Sequence, residues 1–256
     1  MPPVRRRLAL VLACALLLIA AQAAFADSTR VDELGEYSDA PFPNASCPAP
    51  PNTPPDSPNQ CFVMARATGV TMQIGNHHNP FHVKQRGDIV ALTLQLSKPN
   101  ASEIDYFKTT FGGSRKDPNT PYGAAPQVRV AVLKPLHTKH RFVLEAESEV
   151  IDVENHLGQT VTFALRTAVP IHKDRVVGLT VPTWLPALGH PLGSNQAWRA
   201  SYRDTECNPA AGKTRPPRAH EAIGTYKQYG CFFRYERPLY TVTYVPKPAT
   251  TGTSGP

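Results

Sequence analysis

The residues best equipped for chemistry in this 256-residue chain fall into three groups. The first is the histidine-rich stretch Asn76-His77-His78-Asn79-Pro80-Phe81-His82. If residues 81–85 are extended, His82 turns back toward His77 or His78, and converging neutral imidazoles are candidate ligands for zinc or copper. A cupin-like site would add an acidic and a further histidine ligand at set spacings, and these are not evident. His137 and His140 lie in another loop and would join only through the fold. The plainer alternative is a polar hairpin loop. The second group is the acidic run Glu145, Glu147, Glu149, Asp152 and Glu154. In a strand the first three project to one side, where like charges repel unless they are solvated or bind a cation. Calcium suits such hard oxygen ligands, although a solvated outer face explains the run without an ion. The paired carboxylates of a glycosidase would need two acids across a cleft, which one strand does not supply. The third group is aromatic: Trp184 lies between Pro182 and Pro186 after a strand, and Trp198 and Tyr202 are four residues apart. Exposed together, these rings would stack on sugar rings, the stiff prolines lowering the ordering cost. The alternative is burial in the core.

Recognised catalytic signatures are missing from the sequence. There is no G-x-S-x-G elbow, H-E-x-x-H helix, P-loop or dinucleotide fingerprint, and His220-Glu221 lacks the second histidine of a zincin. A Ser-His-Asp triad assembles across a fold and leaves no local motif. No pattern demands a cofactor; calcium at the acidic run and zinc at the histidines are the candidates. Two sequons, Asn44-Ala45-Ser46 and Asn100-Ala101-Ser102, matter only where exported chains are glycosylated.

The N-terminus bears on compartment. Arg5-Arg6-Arg7, the apolar run Leu8–Ala20 and Ala24-Phe25-Ala26 read as a secretory signal peptide over residues 1–26. Val11-Leu12-Ala13-Cys14 resembles a lipobox, but apolar residues continue past Cys14, and the arginines fit a twin-arginine signal poorly. The apolar core falls short of the ~20 residues of a membrane span, so no span is expected after cleavage. Cleavage removes three of 27 basic residues and none of 20 acidic ones, lowering the net charge from +7 to +4. With no run of Lys and Arg interleaved with aromatics, nucleic acid is a poor partner. Cleavage also leaves four cysteines, Cys47, Cys61, Cys207 and Cys231. An even count in an exported chain points to two disulfides. Of three pairings, Cys47–Cys61 and Cys207–Cys231 close short loops in segments with little core of their own. Zinc is the alternative, but no C-x-x-C pair exists.

The elements that must position these groups are strands. The 27 prolines, about twice the usual share, argue against helices, since a proline inside one costs about 3 kcal/mol. Eight of them fall between Pro41 and Pro58, making residues 27–60 an extended arm or linker. Residues 247–256 read as a fraying tail. Between these ends the period is two: Val90, Leu92, Leu94 and Leu96; Val128, Val130 and Val132; Val161, Phe163 and Leu165; Val177, Leu179 and Val181. Residues 231–236 and 239–245 add two strands, and 62–66, 69–74 and 141–146 three more. Only Ala101–Thr110 reads as a helix, capped by Asn100 or Ser102. The expected fold is all-β: an antiparallel two-sheet sandwich over residues 61–246, jelly-roll-like, with one short helix.

Several stretches of the second half have distinctive wording. They are Gly178-Leu179-Thr180-Val181-Pro182-Thr183-Trp184-Leu185-Pro186-Ala187-Leu188, Asn195-Gln196-Ala197-Trp198-Arg199-Ala200-Ser201, Tyr229-Gly230-Cys231 and Leu239-Tyr240-Thr241-Val242-Thr243-Tyr244-Val245. With Phe111-Gly112-Gly113 and Ala131-Val132-Leu133-Lys134-Pro135, residues 60–246 resemble an uncharacterised group of exported actinobacterial proteins. The resemblance implies export, a β fold and the second cysteine pair; it carries over no activity, ligand or catalytic residue.

The sequence therefore leads to an exported, non-catalytic binding or structural protein, secreted or held in the cell envelope. A glycan or another envelope component would be bound through the aromatic region 182–202. The alternative is a secreted hydrolase or metal-dependent enzyme on the same scaffold, which requires His77, His78 or His82 to approach the acids of 145–154. A third reading is a disulfide-pinned surface protein with the proline-rich arm as spacer. Oligomeric state is not legible.

Overall fold

The computed structural model describes residues 30–36, 42–53, 60–113, 121–207 and 218–248. The expected signal peptide with Cys14, much of the proline-rich arm and nearly all of the tail lie outside them. The fold is all-β. Two antiparallel sheets pack face to face, and the helix α1 (Ala101–Phe111) crosses outside them. No helix among the described residues is long and apolar enough to cross a membrane.

The smaller sheet has the order β1-β15-β4-β8, from Asp32–Leu34, Tyr240–Pro246, Gly87–Gln95 and Thr160–Ile171. The larger sheet runs β12-β6-β5-β9-β2-β11-β13. Its strands are Tyr226–Gln228, Arg141–Glu147, Gln127–Pro135, Val176–Leu185, Met64–Ile74, Gln196–Ala200 and Cys231–Arg234. The short β3 (His77–His78) pairs with β2 and β7 (Ile151–Asp152) with β5. A separate ribbon joins β10 (Leu188–Gly189) to β14 (Arg237–Pro238).

The alternating strands bury one face between the sheets, as their period requires. Ile89, Leu92, Leu94, Tyr240 and Val242 of the smaller sheet meet Val128, Val130, Val132, Val177, Leu179 and Val181 of the larger. Phe81 stacks on Tyr240 with centroids 4.2 Å apart. Val90 is only half-buried, not aligned with Leu92 and Leu94, because the register with β8 shifts between Ile89 and Ala91. Residues 64–74 form one strand where two were expected. A bulge with Arg66 at φ 48° breaks the alternation between Ala65 and Ala67.

The larger sheet also has contents on its second face. It curls, and the chain from β12 to β13 passes from one of its edges to the other: β12 pairs with β6 and β13 with β11. Tyr229, at that crossing, packs edge-on to Phe142 at 4.8 Å. With both faces covered, every residue of β9 is buried, which fits a central strand better than the half-buried one its alternation suggests.

Helix α1 starts as expected. The Asn100 side chain accepts from the Glu103 amide while the Glu103 carboxylate accepts from the Asn100 amide, a full capping box. Its buried Phe107 sits 5.3 Å from the Trp184 ring.

Both expected disulfides are present, Cys47–Cys61 and Cys207–Cys231. The described parts of the arm are bound to the sandwich. Glu33 and its neighbours in β1 pair with β15, Ala45 bridges Gly189, and the Ser46 hydroxyl is bonded to the backbone of Phe62.

Candidate functional site

The aromatic platform expected over 182–202 does not form. Trp184, Trp198 and Tyr202 are all buried, with 0%, 5% and 7% of their surface exposed. Each satisfies its polar atom inside: Trp184 Nε1 donates to the Ala124 carbonyl at 2.9 Å, Trp198 Nε1 to Glu236 Oε1 at 2.9 Å, and the Tyr202 hydroxyl to the Ala65 carbonyl. Residues 182–202 are the end of β9, β10 and all of β11 rather than a long loop. The prolines around Trp184 are compatible with a strand end, and the apolar rings fill the core beneath it.

The histidines do not converge either. His77 and His78 are exposed on β3, and His82 bridges to Val176 and faces Asp174 at 3.7 Å. Among the described residues no three His, Cys, Asp or Glu side chains come together as a metal site, so the triad of His77, His78 and His82 is not assembled.

The acidic run is neutralised one arginine at a time. Arg175 grips Glu145 with two bonds of 2.6 and 3.0 Å, Arg129 Nη1 donates to Glu147 at 2.8 Å, and Arg166 Nε lies 3.7 Å from Glu149. Asp152 caps the Glu154 amide, and Glu154 pairs with Lys108. The three carboxylates do not form the one-sided stripe that strict alternation predicts, because the register of β6 against β5 shifts at Glu145 and Glu149 lies beyond the strand; three other segments bring each of them a cation. Glu147 departs furthest from a solvated stripe, its side chain being 3% exposed.

Around Glu147 a polar row runs along the second face of the larger sheet. Thr68, Thr180 and Arg129 stand opposite one another on β2, β9 and β5. The Thr68 and Thr180 hydroxyls are 3.0 Å apart, and Ser201 Oγ accepts from the Thr68 amide. Residues 218–222 lie over this row: the His220 amide donates to Thr68 Oγ1 at 2.9 Å. The His220 ring is 3.3 Å from the Tyr229 hydroxyl and 3.0 Å from the Thr225 carbonyl. Burial depresses this imidazole to about 4, so it is neutral at pH 7.

At the open end of the row Arg129 Nη2 donates to the Tyr122 hydroxyl at 3.3 Å, with the guanidinium over the ring at 5.3 Å. Burial, with the nearby Glu221 carboxylate adding to it, pushes the Tyr122 hydroxyl up to about 12. Burial raises the Glu147 carboxyl, while the Thr180 hydroxyl and Arg129 pull it back down. Gln127, two residues before Arg129, donates to the Tyr122 carbonyl. Four atoms of this network are buried without a protein partner: Gln127 Oε1, Arg129 Nε, Glu147 Oε1 and Glu221 Oε1. Buried polar atoms are nearly always paired, and leaving one unpaired costs about 1–3 kcal/mol. Three acceptors and one donor are thus concentrated in one contact network.

Sequence reasoning singled out Glu147 but not Tyr122, Arg129 or Glu221 as its companions. The available signal was Arg129, a lone charge in the valine strand 128–132, in line with Thr180 and Thr68 on equally apolar strands. Compared with family models, with curated proteins and with solved structures, the chain matches none.

Proposed function

We propose that this is an exported, non-catalytic binding protein of the cell envelope that holds a hydroxyl-rich ligand, a carbohydrate, at Tyr122, Arg129, Glu147 and Glu221. The observation that carries this reading is the set of buried polar atoms without protein partners in that network. A sugar hydroxyl both donates and accepts, so a run of hydroxyls can serve Glu147 Oε1 and Glu221 Oε1 as well as Arg129 Nε. Half-buried Tyr122 and Glu221 form the rim through which a ligand would enter. Export is supported by the leader-like N-terminus and by the two disulfides.

Titration calorimetry against a panel of neutral oligosaccharides tests this. Binding should appear for at least one and weaken by about tenfold or more in Glu221→Gln, a rim substitution that keeps the side-chain volume. A protein that binds none of the panel, or binds equally well after the substitution, rules the reading out. A hydrolase is the second reading. It is favoured by buried Glu147, whose carboxyl burial raises as a general acid requires and which feels the second carboxylate of Glu221. Release of new reducing ends from a bound oligosaccharide, lost in Glu147→Gln, would decide for it.

A further inference from the structure

A second surface, away from the polar row, is basic and aromatic. Phe232 on β13 is 41% exposed, with the Arg199 guanidinium 4.7 Å from its ring centroid and that of Arg234 5.5 Å away. Arg199 and Phe232 are cross-strand partners on β11 and β13. Arg199 Nη1 is tied to the Tyr229 and Gly230 carbonyls, so its position is fixed by backbone rather than by a carboxylate. The chain at 139–141 adjoins this patch, because the Tyr229 amide donates to the His140 carbonyl. The charges His140 feels are those of Arg199 and Lys139, both positive. Among the described residues, Lys139, Arg141, Arg199 and Arg234 make no ion pair, whereas Arg129, Arg166 and Arg175 each have one. Next to His140, Arg141 lies over the exposed Tyr226 ring at 5.6 Å.

We infer that Lys139, Arg199, Phe232 and Arg234 form a docking surface for an anionic polysaccharide. Cation–π contact with Phe232 holds both guanidinium groups at the ring, and the N–H groups that Arg199 does not spend on backbone, with those of Arg234, remain to meet carboxylate or phosphate groups. The ring supplies an apolar seat for the C–H face of a sugar. Cations without carboxylate partners on a chain of net positive charge complement a polyanion. The expected export of this chain puts envelope polymers, not nucleic acid, within its reach. This surface does not depend on the site at Glu147.

The test uses the full mature chain and immobilised polymers: polygalacturonate for carboxylate, a phosphomannan for phosphodiester, and neutral dextran as control. Single-stranded oligonucleotide and anionic phospholipid vesicles run in parallel. Binding to one or both anionic polymers but not to dextran is expected, and the responding arm identifies the anionic group. Affinity should fall as salt rises from ~50 to ~500 mM, where screening shortens to a few ångström. Lys139→Glu and Arg234→Glu, both exposed and free of structural bonds to backbone, should each lower affinity about fivefold or more. Melting temperature should hold. Glu221→Gln should leave this binding intact, which separates failure here from failure of the oligosaccharide site. No binding to either polyanion, equal binding to dextran, tighter binding to oligonucleotide or vesicle, or indifference to both charge reversals would each overturn the inference.

Discussion

A carboxylate stripe in sequence became three separate ion pairs in space, and their burial gives each a different weight. Glu149 faces an arginine that is 81% exposed, so that pair contributes little. Glu147 is buried against Arg129, and there the cost lies in breaking the pair, since an uncompensated buried charge costs several kcal/mol. Arg129→Met should therefore destabilise the fold by about 3 kcal/mol in urea titration, and Arg129→Met with Glu147→Leu should recover much of that loss. If the double variant is no more stable than the single one, the pair is not the reason. His220 makes the pH-dependent prediction. It is neutral in the fold with its titration lowered to about 4, whereas the unfolded imidazole takes a proton near 6.5. Its stabilisation is complete above pH 6.5 and is lost as pH falls toward 4, by roughly 3 kcal/mol in all. Glu147 and Glu236, both raised by burial, act in the opposite sense: their contribution is present at low pH and lost as pH rises through their folded values. Replacing His220 with Gln should flatten the stability profile between pH 6.5 and 4, and a slope equal to wild type would refute the assignment. None of this was legible from spacing alone. Strict alternation would put Glu145 and Glu147 on one side, but the register of β6 shifts at Glu145, and spacing says nothing of Arg175 or Arg129, whose approach depends on strand order.

Strands whose alternation contrasts an apolar and a polar side were readable, and those whose setting overrides the contrast were not. β5 and β9 were found from Val128–Val132 and Val177–Val181, though β5 runs on to Pro135 and β9 to Leu185, and helix α1 was found from its cap. β11 was passed over because its five residues mix Trp198 with Gln196 and Arg199, a composition that suits an aromatic loop as well as a strand. Its place is set by β2 and β13, sequence neighbours of neither end. The full burial of β9 likewise depends on residues 218–229, far along the chain. At Gly178 the two packed faces leave no room: an added Cβ would lie 2.6 Å from the Gly69 carbonyl oxygen and 3.0 Å from Leu133. The nearer neighbour is backbone of an adjacent strand, which cannot rotate aside. Gly178→Ala should thus destabilise by about 2 kcal/mol or more through strand separation, measured as a lower urea midpoint with unchanged slope. A neutral result would mean that β2 and β9 can part at this point without cost.

At the scale of the molecule, the two disulfides stand where periodic burial is thinnest. Cys47–Cys61 ties the proline-rich N-terminal segment beside β10, while Cys207–Cys231 ties the chain after β11 to the start of β13. The second bond matters more to the polar row, because the covering segment 218–229 lies within the loop it closes. That loop spans 24 residues, and its closure removes about 3 kcal/mol of unfolded-chain entropy. If β13 and the cover are held by the bond, Cys207→Ser with Cys231→Ser should loosen them first. Trp198, stacked on Phe233 of β13 at 4.9 Å, would then become open to iodide quenching, while Trp184, packed on Phe107 of helix α1, would stay shielded. Single-tryptophan variants, Trp184→Phe and Trp198→Phe, read the two positions separately. Selective quenching of Trp198, with hydrogen exchange rising at Cys231–Arg234 and not at Val176–Leu185, is the expected result. Equal exposure of both rings would mean that the sandwich opens as a single cooperative unit. The site at Glu147 would then draw its rigidity from the whole fold rather than from the pinned cover.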